Sequence, residues 1–136
     1  MREILFKAKR IDNGEWVEGF YVNYRNVIHY ILMREEGILV WREVDVKTLC
    51  QYTGLTDKSG NKIWENDIVN AEVKQNSLCQ SSSYSDFYQV TYHEKYCYFY
   101  LKKKSNNLLF DGNWSYCLKS IEVIGNTFDN PELIGK

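Results

Sequence analysis

The stretch QYTGLTDKSGNKIWENDIV, residues 51–69, places two tight turns between short strands. Asp57–Asn61 supplies the first turn, with Gly60 at its left-handed position because glycine adopts a positive φ without steric cost. Glu65–Asp67 forms the second turn, and the apolar residues of 68–73 then continue as a strand. No part of the stretch has a 3.6-residue apolar period, so it predicts β structure.

The segments on either side of this stretch continue the strand pattern. Residues 3–22 form a predicted hairpin, whose Asn13-Gly14 turn tolerates positive φ angles. Residues 27–46 form a second predicted hairpin. Further strand runs lie at 68–73, 87–92, 96–102 and 120–128. Strands at about ten-residue spacing predict an all-β protein, a small barrel-like or sandwich domain built from consecutive hairpins with little helix.

The composition supports one globular β domain over residues 1–136. The chain contains 11 Tyr, 6 Phe and 4 Trp but a single Pro, and aromatic residues suit a half-buried pleated surface. The length is close to that of one ordinary domain. Residues 75–86 differ from the rest because they are polar and serine-rich, and we expect them to form a mobile polar loop within the domain.

Charge and cysteine usage bound the compartment and the partners. The 17 basic and 18 acidic residues nearly cancel, so no overall field attracts nucleic acid or an anionic membrane. No apolar run has the length of a signal-peptide core or of a membrane span. The cysteines at 50, 79, 97 and 117 are too widely spaced for a zinc knuckle or a thioredoxin-type site. We therefore expect reduced thiols, a cytoplasmic location, no cofactor, no metal and no membrane partner.

The central stretch also carries a family resemblance. Residues 44–69 resemble the YopX family, small proteins encoded in phages and prophages, whose members typically carry QYTGL-x-DK-x-G followed by I-Y-E-G-D-I-V. Arg2–Ala8 resembles the opening of that family and Glu122–Leu133 its ending. The resemblance implies an intracellular, phage-borne β protein of unknown function, and it carries over no catalytic residue.

Two departures from the family pattern keep the local chemistry. Asn66 stands where the family usually has Gly, and Asn is the next most tolerant residue of a left-handed turn. Trp64 replaces a common Tyr and keeps a flat amphipathic ring. Val46 and Cys50 occupy positions that often hold Pro and Gly, so we expect a different entry into the stretch.

Glu65 and Asp67 are the candidate pair for metal or acid–base chemistry. Two residues apart on a strand, they project to one face, where two carboxylates hold a hard cation or act as acid and base. A turn-forming Asp67 that binds neighbouring backbone amides explains the pair without chemistry, and this interpretation ranks first.

No other catalytic constellation is visible in the sequence. His29 lies in an apolar run, His93 lies in a turn, and strand alternation directs Cys97 towards the core. No metal-binding or nucleophile motif is present. We expect no enzyme activity, with a metal-dependent activity at Glu65 and Asp67 as the weakest alternative.

The most suggestive surface feature is YCYFYLKKK, residues 96–104. Strand alternation puts three tyrosines on one face, and we call them the tyrosine row. The candidate binding residues are this row and the basic residues after it: Tyr96, Tyr98, Tyr100, Lys102, Lys103 and Lys104. Such a row resembles the stacking platforms that small barrels use for single-stranded nucleic acid. Two other interpretations stay open, because tyrosine is a good strand residue and exposed aromatic rows also mark protein interfaces.

Two functions follow from these features. The first is an accessory module of a phage or prophage that binds proteins, either a second copy of itself or another phage or host protein. The alternative is a small-barrel single-stranded nucleic-acid-binding protein that uses the tyrosine row and Lys102–Lys104. The near-zero net charge ranks nucleic acid second, because phosphate binding requires local cations.

Overall fold

A computed structural model describes residues 2–74, 83–103, 107–109 and 118–134. The described strands are β1 (Phe6–Arg10), β2 (Trp16–Tyr24), β3 (Ile28–Glu35), β4 (Ile38–Thr56), β5 (Lys62–Trp64), β6 (Asp67–Lys74), β7 (Ser83–His93), β8 (Tyr98–Lys102), β9 (Asn107–Leu109) and β10 (Leu118–Asn126). The described helical structure is one 3₁₀ turn, Pro131–Leu133, which begins at the only proline. The predicted all-β class with little helix is confirmed.

The chain divides into two compact units, Met1–Gly54 and Leu55–Lys136. The expectation of one domain over residues 1–136 stays a prediction beside this division. In the described part of the chain, no helix has the length and apolar character that crossing a bilayer requires.

The first unit is an antiparallel sheet that closes on itself. The strands β1, β2, β3 and β4 pair in that order, and β1 pairs with β4 as well as with β2. The predicted hairpins over 3–22 and 27–46 are confirmed as the β1–β2 and β3–β4 pairs. The buried core contains Ala8, Val17, Ile31 and Val44, against which Phe6, Tyr21, Met33 and Leu49 pack.

Strand β4 is longer than the sequence indicates. A side chain makes hydrogen bonds where the register of its pairing with β1 shifts, so the strand continues through that point. The pairing of β1 with β4 shifts register between Lys7 and Lys9. There the hydroxyl of Thr48 accepts the backbone N–H of Lys9 (2.8 Å) and donates to the carbonyl of Asp45 (2.7 Å). The hydroxyl replaces ladder hydrogen bonds that a bulge leaves unmade, so one strand spans two predicted segments.

The second unit contains a five-stranded antiparallel sheet in the order β10-β6-β7-β8-β9. Strand alternation sends one set of side chains to a buried core: Ile63, Val69, Ala71, Tyr88, Val90 and Leu101, with Phe99, Ile121 and Val123 packed against them. Full burial of each large aliphatic side chain contributes roughly 1.5–3 kcal/mol. The alternate side chains of β7 and β8 therefore project to the opposite face and do not take part in the core.

The predicted mobile loop over 75–86 is too long at its carboxyl-terminal end. Residues 83–86 belong to β7 and pair with β6, from Lys74 opposite Ser83 to Ala71 opposite Asp86. The backbone ladder extends into a serine-rich segment because the N–H and C=O groups that form it do not depend on apolar side chains. Residues 75–82 lie outside the described residues.

The predicted strand over 96–102 begins too early, and the predicted burial of Cys97 is wrong. The turn after β7 extends to Cys97, whose backbone N–H donates to the carbonyl of His93 (2.7 Å). Cys97 adopts a φ of 57° and is exposed. Alternation holds only within a strand, so it does not apply to a residue that closes a turn. The buried Cys50 fits the expected core thiol, and Cys79 and Cys117 lie outside the described residues.

Gly60 generates the first testable prediction. It has the predicted positive φ, +85°, and no atom lies within 4 Å of the position that a Cβ would occupy. The penalty for a side chain is therefore conformational and not steric crowding. We expect Gly60→Val to lower the free energy of unfolding by about 1–3 kcal/mol and Gly60→Asn by less. Urea unfolding measures both, with Ser59→Ala as the control, and equal midpoints for Gly60→Val and the control would contradict this account.

Candidate functional site

The register of β7 and β8 assembles an aromatic surface on the face opposite the core of the second unit. His93 lies opposite Tyr98, and Thr91 lies opposite Tyr100. Directly opposed residues of an antiparallel pair project to the same face. Tyr96 precedes β8 in the turn and is 60% exposed.

His93 lies at the centre of this surface. Its ring centroid is 4.8 Å from that of Tyr96, 5.3 Å from that of Tyr98 and 5.8 Å from that of Tyr100. The rings of Tyr96 and Tyr98 stack at 6.3 Å, and those of Tyr98 and Tyr100 meet edge to face at 6.2 Å. We call His93 and the tyrosine row together the aromatic cluster.

The rings of the aromatic cluster stabilise one another through their contacts. Offset-stacked and edge-to-face pairs at these distances are each worth about 0.5–1.5 kcal/mol beyond their buried area. His93 Nδ1 is buried and has no hydrogen-bond partner among the described residues. The sequence prediction assigned His93 to a turn and missed its place in the cluster. The sequence signal for this place is the separation of five residues between His93 and Tyr98. It indicates that the two residues pair across the hairpin only when the length of the turn between them is known.

The two described lysines after the tyrosine row lie on different faces of the sheet. Lys102 is exposed and lies opposite Gln89 on the face of the aromatic cluster. Lys103 alternates to the other face, where it forms an ion pair with Asp86 and lies 5.9 Å from the ring centroid of Tyr88. Lys104 lies outside the described residues.

A second cation joins the cluster from the turn. The Nζ of Lys95 lies 5.2 Å from the ring centroid of Tyr96, within the range of a cation–π contact. Glu94, also exposed in this turn, adds a negative charge next to it. The electrostatic character of the surface is therefore mixed and not strongly positive.

The hydroxyl of Tyr92 and the thiol of Cys97 interact at the end of the same hairpin. Hydrogen bonding to Cys97, followed by burial, raises the pKa of Tyr92. The ring of Tyr92 contacts Phe99 at 5.0 Å. The exposed thiol thus lies beside a tyrosine hydroxyl that stays protonated at neutral pH.

Asp57 is one of two buried carboxylates in the family-like stretch, and its task is structural. Its Oδ1 accepts the backbone N–H groups of Ser59 and Asn61, both at 2.9 Å, and its Oδ2 accepts that of Val123 at 3.0 Å. The backbone N–H of Lys58 donates in turn to a carbonyl of β10. Burial opposes ionisation of Asp57, but the three amides outweigh it and lower the pKa of the carboxyl.

The second turn of the stretch is anchored in the same way. Asn66 has the predicted positive φ, 70°; its N–H donates to the carbonyl of Val90 (2.8 Å), and its carbonyl accepts the N–H of Thr127 (3.0 Å). Asp67 is 2% exposed, and its Oδ2 accepts the backbone N–H of Trp64 (2.9 Å). This bond is the turn-forming contact that the first-ranked interpretation of Asp67 predicted.

The remaining candidates for chemistry are also engaged. His29 Nδ1 lies 2.7 Å from the hydroxyl oxygen of Tyr21, and the two rings stack at 5.9 Å. Burial raises the pKa of Tyr21. Among the described residues, no three His, Cys, Asp or Glu side chains come together in a group that could hold a metal ion.

These features define an all-β protein of consecutive hairpins with an aromatic surface on one sheet face. The chain belongs to the YopX family, whose family model, described as YopX protein, matches residues 5–135. Comparison with curated proteins finds no match. Among solved structures, the chain is similar to protein EF1440 from Enterococcus faecalis, with 20% identity and a TM-score of 0.60. The similarity covers 98% of this chain and 99% of that one, and at this identity it shows the fold alone.

Asp57 generates a prediction about pH. A carboxyl whose pKa is lower in the folded than in the unfolded protein stabilises the fold fully above the unfolded pKa, and this contribution is lost as the pH falls towards the folded pKa. We expect Asp57→Asn to cost about 2 kcal/mol at neutral pH, since buried amides lose a charged acceptor. The variant should also lose less stability than the unmodified protein between about pH 5 and pH 3.

Urea unfolding as a function of pH measures both effects. Glu36→Gln, at an exposed turn, is the control that removes one carboxylate without removing these hydrogen bonds. Parallel pH profiles for Asp57→Asn and the unmodified protein would show that folding does not change the pKa of Asp57, which would contradict this account.

Proposed function

We propose that this chain is a protein-interaction module that self-associates through the aromatic cluster and acts by binding, not by catalysis. The observation that carries the proposal is the array of four aromatic rings on a sheet face, each in contact with at least two of the others, with Tyr96 mostly exposed. Tyrosine is enriched in protein interfaces and among the residues that contribute most binding energy. Rings that already contact one another have less side-chain entropy to lose when a partner covers them.

The charges near the cluster favour a protein partner over nucleic acid. Surfaces that bind single-stranded nucleic acid combine stacking rings with a positively charged groove that follows the phosphates. Lys95 and Lys102 lie at the cluster, whereas Lys103 lies on the opposite face with Asp86. Glu94 opposes the two cations at the cluster.

Single-stranded nucleic acid is the second candidate, and one observation favours it. The contact of Lys95 with Tyr96 and the exposure of Lys102 place a cation at each end of the tyrosine row. Bases stack on aromatic rings with about 1–3 kcal/mol per ring, largely independent of sequence. The two candidates differ in their dependence on lysine, which the test uses.

The roles of the acidic residues support binding over catalysis. Asp57 and Asp67 are both occupied by backbone amides that shape turns. His29 contacts Tyr21. Because these side chains have structural roles, we assign them no catalytic role. We also assign no metal-dependent activity to Glu65 and Asp67.

We place this activity in an accessory protein of a phage or prophage that works in the cytoplasm. The family resemblance supports the phage origin, and the exposed thiol of Cys97, which forms no disulfide, fits a reducing compartment. Self-association is the first form of the interaction, and binding to another phage or host protein is the second.

The test compares molecular masses by sedimentation equilibrium over a range of protein concentrations. We expect the unmodified protein to form oligomers and the double variant Tyr98→Ala/Tyr100→Ala to be monomeric. Loss of two central aromatic side chains should weaken association at least about tenfold. Tyr24→Ala is the matched control, because Tyr24 is 51% exposed and lies outside the cluster. A monomeric unmodified protein at every concentration would contradict self-association.

An oligonucleotide titration on the same variants separates the second candidate. We expect no binding of a short single-stranded oligonucleotide at near-physiological salt. Micromolar binding that is lost in Tyr98→Ala/Tyr100→Ala, and that loses salt dependence in Lys95→Gln/Lys102→Gln, would reverse the ranking. If the cluster is a protein interface, the lysine variants should leave the mass unchanged.

A further inference from the structure

The first unit exposes an apolar row that its closed sheet leaves on the outer face. Phe20 lies opposite Leu32, and Leu32 lies opposite Trp41, so the row crosses three strands. Phe20 is 62% exposed and Trp41 is 55% exposed. Arg34 is also on this face and turns away to donate to the carbonyl of Gly37 (3.2 Å). Contiguous apolar side chains of this size on a surface mark an interaction site.

The exposed indole of Trp41 is flanked by a second ring and a carboxylate. The ring of Tyr30 meets it edge to face at a centroid distance of 5.6 Å. Glu43 lies opposite Tyr30 in the β3–β4 register and two residues after Trp41, so all three project to the same face. The exposed carboxylate of Glu43 forms no ion pair with any described residue.

A cleft of about 190 Å³ adjoins this group. It is lined by Arg10, Ile11, Asp12, Trp41, Arg42 and Glu43. Both guanidinium groups have carboxylate partners: Arg10 donates to Asp12 at 2.9 and 2.6 Å, and Arg42 pairs with Glu35. With these charges matched, Glu43 gives the cleft an unmatched negative charge beside an aromatic wall.

Trp16, another tryptophan of the same unit, has two lysine side chains over its ring. The Nζ of Lys7 lies 4.6 Å and that of Lys9 5.4 Å from the ring centroid of Trp16. No described cation lies over Trp41 in this way, although it has a carboxylate on its own face. Tryptophan is the ring that binds cations best, and a desolvated cation gains further from a nearby carboxylate.

We propose that the Trp41 face binds an arginine or lysine side chain of a partner protein, with an apolar neighbour of that residue packed on Phe20 and Leu32. Charge complementarity argues for this partner, since Trp41, Tyr30 and Glu43 present a cation-binding ring, a supporting ring and a free carboxylate. The proposal concerns a different surface from the aromatic cluster and stands independently of self-association.

The test uses two tripeptides that differ only in charge. Acetyl-Leu-Arg-Leu-amide and its citrulline counterpart, which is nearly isosteric but neutral, are titrated into the full chain while the indole N–H signals are followed by NMR. Trp41→Phe identifies the Trp41 signal. We expect a saturable shift of that signal with the arginine peptide and about three- to tenfold weaker binding of the citrulline peptide.

Two variants that each remove one negative charge test the role of the Glu43 carboxylate in binding. Glu43→Gln should weaken binding of the arginine peptide about two- to fivefold and leave the citrulline peptide unaffected. Glu36→Gln, at the exposed turn after β3, should change neither. A retained spectrum of dispersed amide signals shows that each variant is folded.

Three results would overturn the proposal. The first is equal affinity for the two peptides, and the second is equal effects of Glu43→Gln and Glu36→Gln. The third is the absence of a saturable shift of the Trp41 signal up to about 10 mM arginine peptide, because weaker binding is not significant.

Discussion

The second unit depends on the hydrogen bonds that the carboxylate of Asp57 accepts. This carboxylate joins a turn to a strand 66 residues further along the chain by accepting the N–H of Val123 as well as those of Ser59 and Asn61. Strand β10 is thereby held between β6 on one side and the turn on the other. Such a bond is strong because the acceptor is charged and shielded from water.

Asn66 continues this anchoring at the start of β6. Its backbone connects β7, through Val90, with Thr127 just after β10. The side-chain amide of Gln89 adds a bond to Asn66 Oδ1 (3.2 Å). Since β7 is held here, the β7–β8 hairpin that carries the aromatic cluster is placed by the same stretch. The residues that identify the family therefore build the scaffold, and the surface that it presents lies elsewhere in the chain.

Local chemistry explains which features were predictable from the sequence. Gly60 and Asn66 were assigned left-handed turns because few residues tolerate positive φ, and the hairpins followed from alternation and turn residues. The position of the tyrosine row was also visible, since its spacing matches the strand period.

The features that sequence analysis missed depend on partners distant in the chain or on turn length. The bond from Lys9 to Thr48, 39 residues apart, closes the first unit, and no local pattern reveals it. The turn that ends at Cys97 is longer than predicted, which exposes the thiol and brings His93 among the tyrosines. Lys102 and Lys103 were expected to act together, but strand alternation separates them, and Lys103 forms an ion pair with Asp86 of the neighbouring strand β7.

The Asp57 turn has a consequence for how the protein meets other molecules. β10 is the outermost strand of its sheet, and such a strand normally presents unpaired backbone groups that invite a foreign strand to add on. Here the carbonyl of Ile121 and the N–H of Val123 are already taken by the turn, and Lys58 adds an ion pair to Glu122 (3.4 Å). Sheet extension between chains is blocked at this point, as in proteins that guard against amyloid-like growth. At this edge, recognition proceeds through side chains, whose chemistry can change while the backbone stays the same.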